Sequence, residues 1–265
     1  MRLHGLIIDP QEDFCNPSGS LFVPGADRDM SRLAAMIRRL GNRIGALHVT
    51  LDSHHTLDIA HPIWWQDPAG NNPAPFTIIT LDDVNDGRWT AANPAARERS
   101  HDYVRQLAAN GRYPLCIWPY HCLIGSGGHA IVPDLHQALQ EWETATLSPV
   151  EFVTKGSNVW TEHYSALRAD VPDPTDSTTL LNERLIQTLR EADLIFVAGE
   201  AGSHCVANTV RDIVDAFGDA TLLQKIVLLT DATSPVTGFE SLQANYLSDM
   251  AARGLKSATT TDFLR

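Results

Sequence analysis

The sequence predicts an α/β fold: a three-layer sandwich whose central, mostly parallel sheet of about six strands is covered by helices on both faces. Three observations carry this expectation. Short apolar runs alternate with segments whose apolar residues recur at helical spacing. The runs are continuously apolar, as strands buried on both faces require. The 265 residues are 43% hydrophobic, enough for one large core.

In chain order, Leu3 to Asp9 is an apolar run ending in an acid. Met30, Leu33, Ala34, Ile37 and Leu40 form a helical stripe. Ile44 to Leu51 reads as a second strand, ending at Asp52. Residues 62–149 then break the pattern with Trp64-Trp65, Asn71-Asn72-Pro73, Trp118-Pro119 and Gly125-Ser126-Gly127-Gly128. Helices are expected there over Ala95–Ala109 and, with proline in the first turn, over Pro133–Trp142. This stretch reads as an insertion between strands two and three of a single 1–265 domain, and as a lid near the site. Glu151–Thr154 is a third strand ending at Lys155, and Leu180–Leu189 a helix. Leu194–Ala198 is a strand broken by Gly199, and Val206, Val210, Ile213, Val214 and Phe217 are the next helical stripe. Ile226–Thr230 is a strand, Phe239 to Met250 a helix stopped at Gly254, and Ser257–Thr261 a last strand.

Net charge is −12, which argues against a nucleic-acid surface, since phosphate contact needs clustered Lys and Arg. No apolar run approaches the roughly 20 residues that span a bilayer. The start of the chain lacks a signal-peptide layout, so a cytoplasmic location is expected. There the four cysteines are expected as reduced thiols.

In a parallel sheet, ligands bind beyond the carboxyl ends of the strands. Asp9, Asp52, Lys155 and the Gly199–Cys205 turn all lie at such ends. Strand ends often carry acids merely because the chain surfaces there, but four ends gathering Asp, Asp, Lys and Cys are harder to dismiss. Cys205 opens a helix, whose dipole favours the thiolate, and the preceding turn offers N–H groups for an oxyanion. Alone, Cys205 would more often be a buried structural thiol. Asp9 could take its proton if burial or a nearby cation tuned the carboxyl, with Lys155 the candidate cation. In Asp52-Ser53-His54-His55, a carboxylate and an imidazole two residues apart can meet one metal ion. His121 or His61 would supply a third ligand.

Together these segments resemble the nicotinamidase branch of the isochorismatase-like hydrolases. Asp9, Gln11, Asp13 and Phe14 match the family's Asp-x-Gln-x-Asp-Phe. Val23-Pro24-Gly25-Ala26 matches the segment that follows, and Asp52 and His54 match Asp-x-His. Trp118-Pro119-Tyr120-His121-Cys122 matches Trp-Pro-x-His-Cys in full. Lys155, the pair Tyr164-Ser165, and the turn Gly199, Ala201, Cys205 and Val206 complete the order.

The resemblance implies a Cys205–Asp9–Lys155 triad acting through a thioester, with the N–H groups of Ala201 and Cys205 as oxyanion hole and a cis peptide between Glu200 and Ala201. It implies a divalent ion on Asp52, His54 and His121, zinc foremost, with manganese or iron as alternatives. Phe14, Trp64 and Tyr164 are expected in the pocket of a small amide such as nicotinamide. A homo-oligomer is expected by analogy only. Relatives have a shorter stretch between Asp-x-His and the later metal histidine. Many also have histidine where this chain has Asp58, and Gly202-Ser203-His204 is atypical. The alternatives are a ureido- or carbamoyl-group hydrolase of the same family, and a non-catalytic binding protein on this fold. A dinucleotide-binding reading fails because Asp9-Pro10-Gln11-Glu12-Asp13 would repel phosphate.

Overall fold

The computed structural model describes residues 1–111, 113–218 and 223–265. Its first strand, β1 (Leu3–Ile8), is buried along its whole length. A short helix α1 (Glu12–Cys15) follows, then α2 (Ala26–Leu40). The α2 stripe Met30, Leu33, Ala34, Ile37 and Leu40 is buried as its spacing requires. Asp27 and Asp29 in the first turn and Arg38 and Arg39 in the last complement the helix dipole. β2 (Ile44–Asp52) returns beside β1 in parallel register.

The segment between β2 and the next sheet strand carries two small antiparallel pairs. β3 (Trp65–Gln66) pairs with β5 (Thr90–Ala91), and β4 (Ile78–Ile79) with β6 (Leu115–Cys116). It also carries α3 (Leu81–Asn85), α4 (Arg97–Asn110) and α5 (Pro133–Thr146). α5 packs along α2, so the end of this segment belongs to a helical layer over the sheet.

β7 (Glu151–Lys155), α6 (Glu183–Glu191), β8 (Leu194–Gly199), α7 (Cys205–Phe217), β9 (Ile226–Leu229), α8 (Glu240–Ala252) and β10 (Lys256–Ala258) complete the chain. The sheet order is β10-β9-β8-β1-β2-β7, every pairing parallel, with helices packed around it. The expected three-layer α/β architecture is therefore present.

Two boundaries differ most from the sequence reading. The last strand, expected over Ser257–Thr261, is Lys256–Ala258, because the chain turns at Thr259, whose carbonyl accepts the Asp262 and Phe263 N–H groups. The helix expected from Leu180 begins at Glu183, because the Asn182 side chain accepts the Leu185 N–H at 3.0 Å and caps it there. Leu180 and Leu181 lie outside the helix, 40% and 43% exposed. Among the described residues, no helix is long and apolar enough to cross a membrane.

The topology sets the chemistry side by side. β8, β1, β2 and β7 are consecutive in the sheet. Ile8 is level with Gly199, and Asp52 with Lys155. Asp9, Asp52, Lys155 and the turn before Cys205 therefore share one edge. Gly199 is required at that edge: its φ is +113°, and a Cβ there would sit 2.0 Å from the Ile8 carbonyl oxygen.

Candidate active site

The site is built from the ends of four neighbouring strands. Asp9 leaves β1 with a left-handed φ of +45°, a sparsely populated conformation for a non-glycine residue. Its N–H donates to Thr50 Oγ1 at 3.0 Å, and that hydroxyl donates to Asp9 Oδ1 at 2.5 Å. Gln11 ties this loop to β2 in both directions. Its Nε2 donates to the Asp52 carbonyl and its Oε1 accepts the Asp52 N–H, each at 2.7 Å. Asp13 accepts the Cys122 N–H at 2.7 Å and so pins the segment carrying His121. The spacing Asp9, Gln11, Asp13 therefore has a structural meaning: one residue for the centre, two to fix its neighbours.

Lys155, fully buried, stands at the centre. Its Nζ lies 2.9 Å from Asp9 Oδ2, 3.0 Å from Asp52 Oδ1 and 3.6 Å from Cys205 Sγ, and donates to the His163 carbonyl at 3.0 Å. Oxygens of Asp9 and Asp52 and the sulfur of Cys205 lie within 4.8 Å of one another. Burial raises Asp9 above the usual carboxylate range, although Lys155 pulls it down. Burial likewise pushes the Cys205 thiol well up, again opposed by Lys155. Burial would lower Lys155, but Asp52 and Asp9 outweigh it and hold the ammonium charged. The thiol is thus protonated at rest, with a carboxylate and an ammonium within reach.

The turn before Cys205 directs its amides. Those of Gly199, Glu200 and Gly202 donate to the carbonyls of Ala232, Ile8 and Ser234, and those of His204 and Val206 both donate to Ala201 O. The amides of Ala201 and Cys205 are not among these. The Glu200–Ala201 peptide is cis, as the resemblance implies.

Next to this centre, His54 Nε2 and His121 Nε2 approach Asp52 Oδ2 at 3.2 and 3.6 Å. Nδ1 of His54 donates to Asp58 Oδ2 at 3.0 Å, and Nδ1 of His121 to the Pro119 carbonyl at 2.8 Å. Both rings thus turn Nε2 inward, the arrangement that orients metal-binding imidazoles. His54 Nε2 is buried and makes no hydrogen bond. The three ligand atoms lie within 4.8 Å of one another, so this donor set fits a divalent ion. A Cβ at Gly156 would sit 2.8 Å from Asp52 Oδ1, so glycine keeps that side open. His61 is buried nearby, its ring 5.3 Å from that of His54, with Nδ1 facing the carbonyls of His55 and Thr56. Of the two candidates for third ligand, His121 is the one grouped with Asp52 and His54.

A cavity of about 20 Å³ joins the two halves. Cys205, Ala201, Asp52, His121 and Glu162 supply its polar lining, and Phe14, Trp118, Tyr164, His204 and Val236 its rings and apolar wall. Of the three residues expected in the pocket, Phe14 and Tyr164 line this cavity and Trp64 does not. Its Nε1 donates to Ser100 Oγ at 3.0 Å, its ring packs edge-on against Trp160, and it faces a separate cleft with Leu57, Ile63 and Ala96. The double tryptophan is core for the segment: Trp65 is likewise buried and donates to the Ile59 carbonyl at 2.7 Å.

Leu21, Trp118, Glu162, His204 and Val236 also line the wall and escaped the sequence reading. Trp118 donates to the Tyr164 hydroxyl at 3.0 Å and meets the His204 ring edge-on at 5.2 Å. Burial lowers His204 to about 3, so the ring is neutral. Their signals were the Trp-Pro motif and adjacency to Cys205. Glu162, which burial pushes up to about 8, sits in an irregular loop and left no signal.

No family model and no curated protein sequence matches this chain. Solved structures do. A nicotinamidase/pyrazinamidase of Acinetobacter baumanii is 22% identical at a TM-score of 0.66, over 99% of this chain and 98% of its own. The yeast nicotinamidase bound to the inhibitor nicotinaldehyde is 18% identical at 0.67, over 97% and 99%. The pyrazinamidase of Pyrococcus horikoshii in complex with zinc is 19% identical at 0.58, over 98% and 99%. The fold of this chain is thus the one found in nicotinamidase structures, along nearly its whole length.

Proposed function

We propose that this protein is a cysteine hydrolase that cleaves the carbon–nitrogen bond of a small amide, nicotinamide or a close analogue, through a thioester on Cys205. The observation that carries this is the Lys155 ammonium, held within reach of Asp9, Asp52 and the Cys205 sulfur in a buried cluster. A purely structural fold gains little from gathering these groups, since burying charge is costly unless it is paired.

Asp9 takes the proton of Cys205, and the sulfur attacks the amide carbon. Lys155 offsets the charge of whichever partner is anionic. The N–H groups of Ala201 and Cys205 receive the developing oxyanion, a contribution of about 100- to 1,000-fold where one such donor has been removed from other enzymes. Asp9 returns the proton to the leaving nitrogen and ammonia departs. Water, deprotonated by Asp9, then opens the thioester and frees the acid. Trp118, Tyr164 and His204 present aromatic faces and edges suited to a planar ring. A divalent ion, zinc foremost, would be held by Asp52, His54 and His121 and would supply an electron-pair acceptor that orients the substrate.

The experiment is ammonia release from nicotinamide, pyrazinamide, a ureido acid and maleamate, for wild type and Cys205→Ala. Release from nicotinamide that vanishes in the variant supports the reading. Release only from the ureido acid moves the substrate to the carbamoyl class. Turnover retained by Cys205→Ala refutes the mechanism.

A further inference from the structure

The triad and the proposed metal ligands leave one ionisable wall residue without a task. Glu162 is 4% exposed and lines the cavity with Cys205, Asp52 and His121. Its placement is rigid. Its N–H donates to the Tyr103 hydroxyl at 3.1 Å, and its carbonyl accepts the Asp170 N–H at 2.9 Å. One carboxyl oxygen, Oε1, accepts the His163 N–H at 3.0 Å. The other, Oε2, is buried and has no hydrogen-bond partner. A buried carboxyl oxygen without a donor is costly, so its retention in a cavity wall points to a partner that arrives with the cavity's occupant. It shares this wall with Asp52 and His121, two of the proposed metal ligands.

We propose that Glu162 is a positioning residue of this site: in the ionised form of the side chain, Oε2 accepts a hydrogen bond from an N–H or O–H donor at the metal-ligand end of the cavity. That donor is a group on the substrate remote from the scissile carbonyl, or a water held there in its place. The inference rests on the amide-hydrolase reading and deepens it, because it makes the preferred substrates small amides with a second donor group. A site built to satisfy a substrate donor discriminates against the analogue that lacks it.

The test separates binding from turnover by using the zinc-loaded Cys205→Ala protein. Calorimetry measures binding of nicotinamide and its ring-amino derivatives, with Glu162 intact, as Glu162→Gln and as Glu162→Met. Thermal melting of each variant checks the fold, and Glu162→Gln keeps the test valid if Glu162→Met melts early. With Glu162 intact, at least one amino derivative is expected to bind about 10- to 100-fold more tightly than nicotinamide, with the preference reduced in Gln and erased in Met. If water is the partner, nicotinamide itself weakens by about tenfold in both variants. Cobalt(II) affinity is expected to stay within about threefold in Glu162→Gln, because Glu162 makes no hydrogen bond to Asp52, His54 or His121 and so does not orient a ligand.

Equal binding of every amide by all three proteins overturns the proposal while leaving the hydrolase reading intact. A cobalt loss as large as that of His54→Ala also overturns it, by making Glu162 a ligand. If no amide binds with Glu162 intact, the hydrolase reading falls and takes this inference with it.

Discussion

Replacing Lys155 with methionine removes the ammonium that bridges Asp9 and Asp52, and its effect follows from the geometry. The ammonium lies 2.9 and 3.0 Å from the two carboxylates, with no exposure of its own. At an effective dielectric of 20, each pair attracts by about 5 kcal/mol before desolvation is subtracted. The net cost of leaving such buried charges unpaired is about 3–5 kcal/mol. For a chain of this length that lowers the melting temperature by roughly 10 °C.

The deficit should also depend on pH. Burial already raises Asp9, and Lys155 is the strongest of the influences that pull it back, ahead of the Thr50 hydrogen bond, so without the lysine its pKa climbs further. A carboxyl whose folded pKa exceeds its unfolded value of about 3.9 destabilises the fold above that pH, increasingly so until the folded pKa is passed. Lys155→Met should therefore be most unstable at high pH and approach wild type toward pH 4. The assay is thermal melting of chelator-treated wild type and variant across that range, so that no ion replaces the lysine. Equal melting temperatures at high pH, or a gap that widens in acid, would refute the charge-pairing argument. Turnover should fall by at least about 100-fold in the same variant.

Other outcomes follow from single contacts. Asp58→Asn, which weakens the acceptor that orients His54 Nδ1, should cost about 10- to 100-fold in zinc affinity by chelator competition, with the fold unchanged. Trp64→Ala should leave the KM for small amides within about twofold, because Trp64 faces another cleft, while destabilising the fold by about 3–5 kcal/mol in denaturant titrations. His48 Nε2 meets His4 Nδ1 at 3.2 Å, and burial lowers both rings. Their neutral forms stabilise the fold above about pH 6.5, and that stability fades as acid protonates the unfolded chain first; His48→Gln should flatten this acid limb of the melting curve.

The clustering of Asp9, Asp52, Lys155 and Cys205 was legible because strand ends are legible. Asp9, Asp52 and Lys155 each close an apolar run, and Cys205 opens a helix after one. In a parallel sheet those positions must share an edge, so chain order and period were enough to gather them. The pocket wall obeys no such rule. Trp64 and Tyr164 both lie in segments without a period, and aromatic character alone did not distinguish the ring in the cavity from the ring packed on Trp160. The start of α6 was displaced for a local reason of the same kind: the Asn182 cap prevailed over the apolar Leu180-Leu181 pair.

Gln11 and Asp13 show why some of the non-catalytic pattern could still be seen. Neither has an evident chemical task, yet Gln11 binds the backbone of Asp52 and Asp13 binds that of Cys122. Each clamp acts through a short side chain on a fixed backbone atom, so its spacing from Asp9 admits little variation. Glu162 and Asp58 are constrained differently. They reach the centre from loops, and what fixes them is a hydrogen bond donated to the Tyr103 hydroxyl or one accepted from a ring nitrogen. A loop can meet that demand from many chain positions, so the sequence carries no period or spacing to betray it. The residues proposed to carry the reaction therefore stand at strand ends, where period and order reveal them, while those proposed to choose the substrate hold places that are settled only when the loops pack.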